Sequence, residues 1–368
     1  MSKLLYVINS LRNAGAEKLI INLAIEMKNT HGLKVGILVF KKPSDFFIEL
    51  LKKESIPLYY RNSLLYYSFL NLFLLIKVIK KFNYKLIHAN LFPTLYLVSL
   101  LRFIIPKVKL IYTEHSTFNK RRRYFILKFL EYFVYSKYNV LIAISNGVKE
   151  NLVRWVSPFS LPKNTKLIVI LNGVFTEKYA KPENFPIKNF FDRSFILCMV
   201  GRFESSKNQE LLIEILVKLP KEIKLLLVGD GKKKNLILKM IEKYNLNDRV
   251  KLLESTNKIQ EIYWNVDLLV HAVNWEGFGL VVLEAMSSGL PIIASKVQGL
   301  QEVVGKNGIL IPNNDQSKFI IYIMKFFQDS NFYSRGVEKS ITQSKKFTFR
   351  KTTDKYFDVY ISLLKGYY

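Results

Sequence analysis

The chain has 368 residues, 49% of them hydrophobic, and a formal net charge of +27. That length allows two ordinary domains of about 150 residues each, and that apolar content excludes a disordered chain. A single cysteine, Cys198, excludes a disulfide framework and points to a reducing compartment.

The charge is uneven, +19 over residues 1–180 and +8 over 181–368. The first half therefore attracts an anionic partner: nucleic acid, lipid headgroups or a phosphorylated substrate. Solubility alone needs far less charge.

In chain order, Leu4–Ile8 reads as a buried strand, with no signal-peptide cleavage pattern around it. The loop Asn13-Ala14-Gly15-Ala16 follows, then a helix from Glu17 to Met27. Short apolar runs at Val35–Phe40, Leu86–Ala89, Leu110–Tyr112, Val140–Ile144 and Leu167–Leu171 read as further strands. The segment Leu64–Ile76 falls short of the roughly 18 apolar residues of a membrane span. It runs into Lys77, Lys80 and Lys81, so it is either a buried helix or a helix lying on a membrane surface. Thr113-Glu114-His115-Ser116 follows one strand, and Lys120-Arg121-Arg122-Arg123 comes just after it. Those four cations either receive a phosphorylated acceptor or form a solvated basic loop.

Phe175–Ser194 carries Pro182 and Pro186 with little periodicity, which places a domain boundary there. Phe195–Val200 opens a second series of strands: Lys224–Val228, Val250–Leu253, Leu268–His271, Pro291–Ala294 and Gly308–Ile311. After the first of these, Gly201-Arg202 and Lys207 flank a loop that opens a helix near Gln209–Leu219. Two cations at a helix N-terminus suit a diphosphate. Gly229-Asp230-Gly231 forms a second glycine turn. Glu276-Gly277-Phe278-Gly279-Leu280 then leads into a helix that carries Glu284 about two turns in. Its glycines let backbone N–H groups approach a ligand closely; the alternative is a surface turn whose glutamates face water. Phe349–Leu364 is a final helix with Tyr356, Tyr360 and Leu363 on one face, positioned to pack back across the domain junction. Strands spaced by helices predict α/β architecture, with two doubly wound parallel sheets and ligands at the strands' carboxyl ends.

These motifs together resemble the retaining, nucleotide-sugar-dependent glycosyltransferases of family 4, with best agreement over Phe195–Pro312. The resemblance implies the GT-B fold, two facing Rossmann-like domains with a cleft between them. It assigns 1–180 to acceptor binding, 181–348 to the nucleotide sugar and 349–368 to the returning helix. By similarity His115 and Glu276 act on the transferred sugar. Gly15, Arg202, Lys207, Gly229, Phe278, Gly279, Leu280 and Glu284 bind the donor, the basic pair holding its diphosphate and Glu284 its ribose. Arg121, Arg122 and Arg123 are the candidates for the acceptor. Three positions depart from the family pattern: Ala14 replaces a glycine, Glu254-Ser255 stands where a glycine usually follows Val250–Leu253, and Phe175 replaces an aspartate.

The implied activity is transfer of a sugar, with retention of configuration, to a glycan or lipid-linked acceptor in bacterial surface polysaccharide synthesis. No cofactor or metal is expected, and the implied site is the inner face of the plasma membrane, peripheral and cytoplasmic. Two other readings compete. An epimerase or hydrolase of the same architecture would process the donor without an acceptor. A basic nucleic-acid- or membrane-binding protein would use the charge alone, although the cations are not interleaved with aromatics as in a nucleic-acid module.

Overall fold

A computed structural model describes residues 3–11, 15–61, 69–117, 119–157, 161, 164–185, 190–192, 194–306 and 308–367. It divides into two units, Met1–Asn172 with Lys351–Tyr368, and Gly173–Arg350. The break therefore falls at 172/173, where the sequence reading places it at 180/181.

In the first unit the order is β1 (Lys3–Ile8), α1 (Gly15–Asn29), β2 (Lys34–Val39), α2 (Asp45–Lys53), β3 (Leu58–Tyr60) and α3 (Leu70–Phe82). There follow β4 (Leu86–Asn90), α4 (Thr94–Ser99), α5 (Leu101–Ile104), β5 (Lys109–Glu114), α6 (Ile126–Tyr135), β6 (Val140–Ala143), α7 (Asn146–Val156) and β7 (Lys166–Val169). The second unit runs α8 (Thr176–Tyr179), β8 (Phe195–Val200), α9 (Gln209–Val217), β9 (Ile223–Val228), α10 (Lys234–Lys243), β10 (Val250–Leu253), α11 (Ile259–Tyr263) and β11 (Leu268–His271). It continues through α12 (Leu280–Ser287), β12 (Ile292–Ser295), α13 (Gln298–Val304), β13 (Ile309–Ile311), α14 (Gln316–Gln328) and α15 (Ser330–Ser344), and α16 (Phe349–Lys365) ends the chain.

All pairings between these strands are parallel, for example Leu5 with Gly36 and with Ile87, and Cys198 with Leu226. The sheet orders are β3-β2-β1-β4-β5-β6-β7 and β10-β9-β8-β11-β12-β13. Helices cover both faces of such sheets, so their strands read as unbroken apolar runs rather than alternating ones. Leu4–Ile8 and Ile196–Met199 are accordingly buried throughout. Strand order reverses between β1 and β4 in one sheet and between β8 and β11 in the other. The loops beyond those strand ends are where this topology places a ligand.

Most residues of α16 belong to the first unit, where Tyr356, Tyr360 and Leu363 are buried. Of Leu64–Lys81, residues 64–68 lie outside the described residues, and the remainder is largely α3. Its Leu75, Val78 and Ile79 are buried, whereas Phe69, Leu70 and Phe73 are exposed. The buried-helix reading thus describes the Leu75, Val78 and Ile79 side, and the other side is exposed.

Candidate active site

In the second unit the site begins where two backbones touch. A Cβ on Gly229 would sit 2.1 Å from the Gly201 carbonyl oxygen, and φ at Gly229 is +148°. Only glycine fits there, so the turns after β8 and β9 stay in contact. Gly201 is covered in turn by the stem of Lys207: a Cβ on Gly201 would meet Lys207 Cδ at 3.3 Å. Asn208, in the left-handed conformation, reverses the chain into α9.

The stem delivers the Lys207 ammonium to Glu276, beyond β11, with Nζ donating to Oε2 at 2.5 Å. His271, the last residue of β11, lies 3.4 Å from the same oxygen through Nε2. Glu276 Oε1 accepts from the backbone N–H of Gly277 at 3.0 Å. Burial pushes the Glu276 carboxyl up, but the Lys207 charge and the His271 hydrogen bond outweigh it, holding the group well below the usual carboxylate range. Burial lowers the His271 pKa more than its Glu276 hydrogen bond raises it, leaving the ring neutral. Nε2 then carries the proton it shares with the carboxylate.

From the other side α13 closes on the same loop. A Cβ on Gly299 would lie 2.2 Å from the Glu276 carbonyl oxygen. Phe278 is buried edge-to-face on Phe347, centroids 5.9 Å apart, so its backbone is the part left for a ligand. Gly279 has φ +91° and caps α12, whose first residue is Leu280. Because α12 starts there, Glu284 lies just past its first turn rather than two turns in. It accepts from Tyr263 Oη at 3.3 Å. Arg202 is 72% exposed and pairs with Glu204 at 3.1 Å, a solvent-screened contact that a diphosphate can displace.

In the first unit, Gly15 is exposed at the start of α1, while Asn13 and Ala14 lie outside the described residues. His115 follows β5, and its Nε2 lies 3.1 Å from Asn90 Oδ1 at the end of β4. Asn90 Nδ2 donates to the His88 carbonyl at 3.1 Å. Its Oδ1 is therefore the acceptor, His115 Nε2 is the donor, and His115 Nδ1 keeps a lone pair. Behind them His88 is fully buried, with Nδ1 2.8 Å from Tyr360 Oη and Nε2 2.7 Å from Thr113 Oγ1. Tyr6 Oη lies 3.0 Å from that Tyr360 hydroxyl. These contacts tie the C-terminal helix beneath the strand ends.

Burial lowers the pKa of His115 from 6.5 to about 4 and that of His88 to about 3. The unfolded chain binds these protons first, so stability is full above the unfolded value and falls as pH drops toward 4. We expect the unfolding temperature to decline between pH 6.5 and pH 4, and His88→Gln to flatten that decline if the variant folds. Calorimetry across this window checks it, and a flat wild-type profile contradicts it.

The arginine run is arranged differently from a row of free cations. Arg121 Nε lies 3.0 Å from Glu131 Oε1, and its guanidinium stacks 4.7 Å from the Phe92 ring centroid. Arg122 Nη2 lies 3.0 Å from Glu114 Oε2. Both side chains are only 11% exposed, so this pair is built into the unit, and Arg123 alone of the three is exposed. The geometry adds Asn90, His88, His271 and Gly299 to the residues read from the sequence. His271 and Asn90 end or directly follow predicted strands, where side chains meet ligands, and that is the signal that could have found them. Gly299 has no such signal.

With this geometry in place, comparison with known proteins is specific. The family described as "Glycosyl transferases group 1" matches residues 180–343, and "Glycosyltransferase Family 4" matches residues 13–178. The UDP-Gal:alpha-D-GlcNAc-diphosphoundecaprenol alpha-1,3-galactosyltransferase of Escherichia coli is 29% identical over 342 residues, 87% of this chain and 86% of the relative. A Campylobacter jejuni N-acetylgalactosaminyltransferase acting on a diphospho-undecaprenol glycan is 26% identical over 226 residues, 60% of this chain and 59% of its own length. Among solved structures, Anabaena HepE in complex with UDP and glucose superposes with a TM-score of 0.84 at 22% identity, covering 98% of this chain and all of HepE.

Proposed function

The chain belongs to the family 4, or group 1, glycosyltransferases, and on that premise we propose transfer of a hexose from a uridine diphosphate sugar to a polyprenyl-diphosphate-linked acceptor, with retention. The observation that carries the reading is the Lys207–Glu276–His271 cluster at the strand-order reversal, beside the Gly279 turn at the N-terminus of α12. The Escherichia coli relative, which uses UDP-Gal and an undecaprenol diphosphate, supports the donor and acceptor classes. We place this transfer in bacterial surface polysaccharide synthesis at the inner face of the plasma membrane. Among the described residues no helix is long and apolar enough to cross a membrane.

In this scheme the donor diphosphate enters beside Arg202, Lys207 and the N-terminus of α12. Lys207 has three donors, enough to serve Glu276 and a phosphate oxygen together. As the sugar C1–O bond breaks, negative charge grows on the departing diphosphate and is met by these two cations without a metal ion. The anionic Glu276 carboxylate faces the oxocarbenium-like centre. The acceptor oxygen bonds to C1 on the face the diphosphate leaves, and its proton passes to the departing phosphate oxygen. In the first unit, the Nδ1 lone pair of His115 suits a sugar hydroxyl donor.

Proton NMR of the product formed early from an α-linked UDP-sugar tests the reading. We expect an α-linked product, formed equally well in the presence of a chelator. A β-linked product, or activity abolished by chelation and restored by added metal, contradicts it.

A further inference from the structure

Helix α6 is apolar on both its sides, with Val134 and Tyr135 buried and a second apolar face turned outward. Its inward face carries Glu131, fully buried. Its outward face is apolar: Ile126 is 77% exposed and Phe133 52%, with Phe129 and Leu130 also exposed. Phe125, at its N-cap, is 69% exposed. Phe103 of α5 extends the patch, stacked on Phe133 with centroids 6.4 Å apart. An ordinary surface helix turns such a face inward, and a contiguous exposed apolar patch marks an interaction site.

The charge around the patch says what it meets. From Ser55 to Lys149 the chain carries fifteen Lys and Arg but only two acidic residues, Glu114 and Glu131. Both are buried and paired with Arg122 and Arg121, so this whole stretch shows solvent no negative side chain. The Lys137 ammonium sits 3.9 Å from the Phe133 centroid and 5.1 Å from that of Phe103, and Lys128 Nζ lies 5.7 Å from that of Phe125. Apolar rings rimmed by cations on flexible stems match a lipid interface, with rings in the acyl boundary and ammonium groups at the headgroups. A cavity of about 340 Å³ beside the face, lined by Phe92, Pro93, Tyr96, Leu97, Leu127 and Leu130 together with Arg121, has room for part of an acyl or isoprenoid chain.

We propose that the α5–α6 face docks this enzyme on an anionic lipid leaflet, placing its first unit against the bilayer that holds the acceptor. The inference rests on the lipid-linked-acceptor reading and names the surface that serves it. Cationic attraction brings the protein to the leaflet and is screened by salt; the apolar face supplies a part of the affinity that persists.

Vesicles of phosphatidylcholine with phosphatidylglycerol, in flotation, are the probe. Wild-type protein should float with them at low salt and retain part of that binding at high salt. The combined Ile126→Ser, Phe129→Ser and Phe133→Ser variant should bind on the order of a hundredfold more weakly, while its transfer to a water-soluble, short-chain acceptor stays unchanged. Phe129→Trp reports directly even if the triple variant folds poorly: its emission should shift blue on vesicles and be quenched by brominated acyl chains. Unaltered flotation of a folded triple variant, or vesicle-bound Phe129→Trp protein whose added indole emission is not quenched, overturns the proposal. So does a dimer in sedimentation that the triple variant abolishes, which would assign the face to a second copy. Docking without sugar transfer to any acceptor would instead count against the functional reading alone.

Discussion

Lys207→Ala should leave a folded protein whose kcat/KM is lower by on the order of a hundredfold or more. Two losses combine. The donor diphosphate loses a charge-assisted contact worth about 1.5–3 kcal/mol, and Glu276 loses the cation that keeps it ionised. In the wild type, burial alone would raise the Glu276 carboxyl, and Lys207 is the largest influence opposing it. Without it the strongest opposition to burial is lost, so the carboxyl titrates at a higher pH. Activity that needs the anion then fails as pH falls through that higher value, giving an acid limb the wild type lacks. Lys207→Met separates charge from packing, because it keeps a stem over Gly201. It should show the same acid limb and the same loss. Steady-state kinetics over pH with both variants decides the matter, and an unchanged kcat/KM in a folded Lys207→Ala removes this residue from the mechanism.

The double role of Lys207 shows where the sequence is legible and where it stops. Strands were readable because parallel sheets bury both faces, so Leu4–Ile8 and Phe195–Val200 announce themselves as apolar runs. Edge strand β3 did not: Leu58–Tyr60 is three residues long and none of them is buried. Motif residues were readable because glycine turns punctuate the strand ends, yet the pairing of Lys207 with Glu276 joins positions 69 apart. No local pattern encodes that contact. Arg121 and Arg122 mislead for a related reason. A run of four cations reads as a receiver for a phosphorylated acceptor or as a solvated loop, but the carboxylate partners of Arg121 and Arg122 lie on the inward face of α6 and on β5. Burial of a charge is a property of the packed unit, visible only once its counter-ion is placed beside it. The same holds for Leu64–Lys81, whose apolar excess did not reveal which side of α3 meets the core.

Glu131→Ala should be the most destabilising single change in the first unit, by about 3–5 kcal/mol, because it strands a buried cation. Glu131 Oε1 accepts from Tyr96 Oη at 2.9 Å and faces Arg121 Nε at 3.0 Å. Its Oε2 accepts from Tyr135 Oη at 3.0 Å and Trp155 Nε1 at 2.9 Å. One carboxylate thus accepts from donors on α4, α6 and α7 and pairs with the cation of the arginine turn. Its loss leaves three neutral donors without this acceptor and a largely buried guanidinium without its counter-charge. Glu131→Gln should fare little better, since an amide replaces one acceptor oxygen by another donor. Replacing Arg121 as well tests the cause: Glu131→Leu with Arg121→Leu should cost much less than the sum of the single changes, because removing both partners leaves no orphaned charge. Denaturant titrations with a constant m-value measure each arm of that cycle. Strict additivity would show that the carboxylate and guanidinium are independent. Strong coupling would identify this pair as what fixes the roll of α6, holding the charge inward so that Ile126, Phe129 and Phe133 must face out.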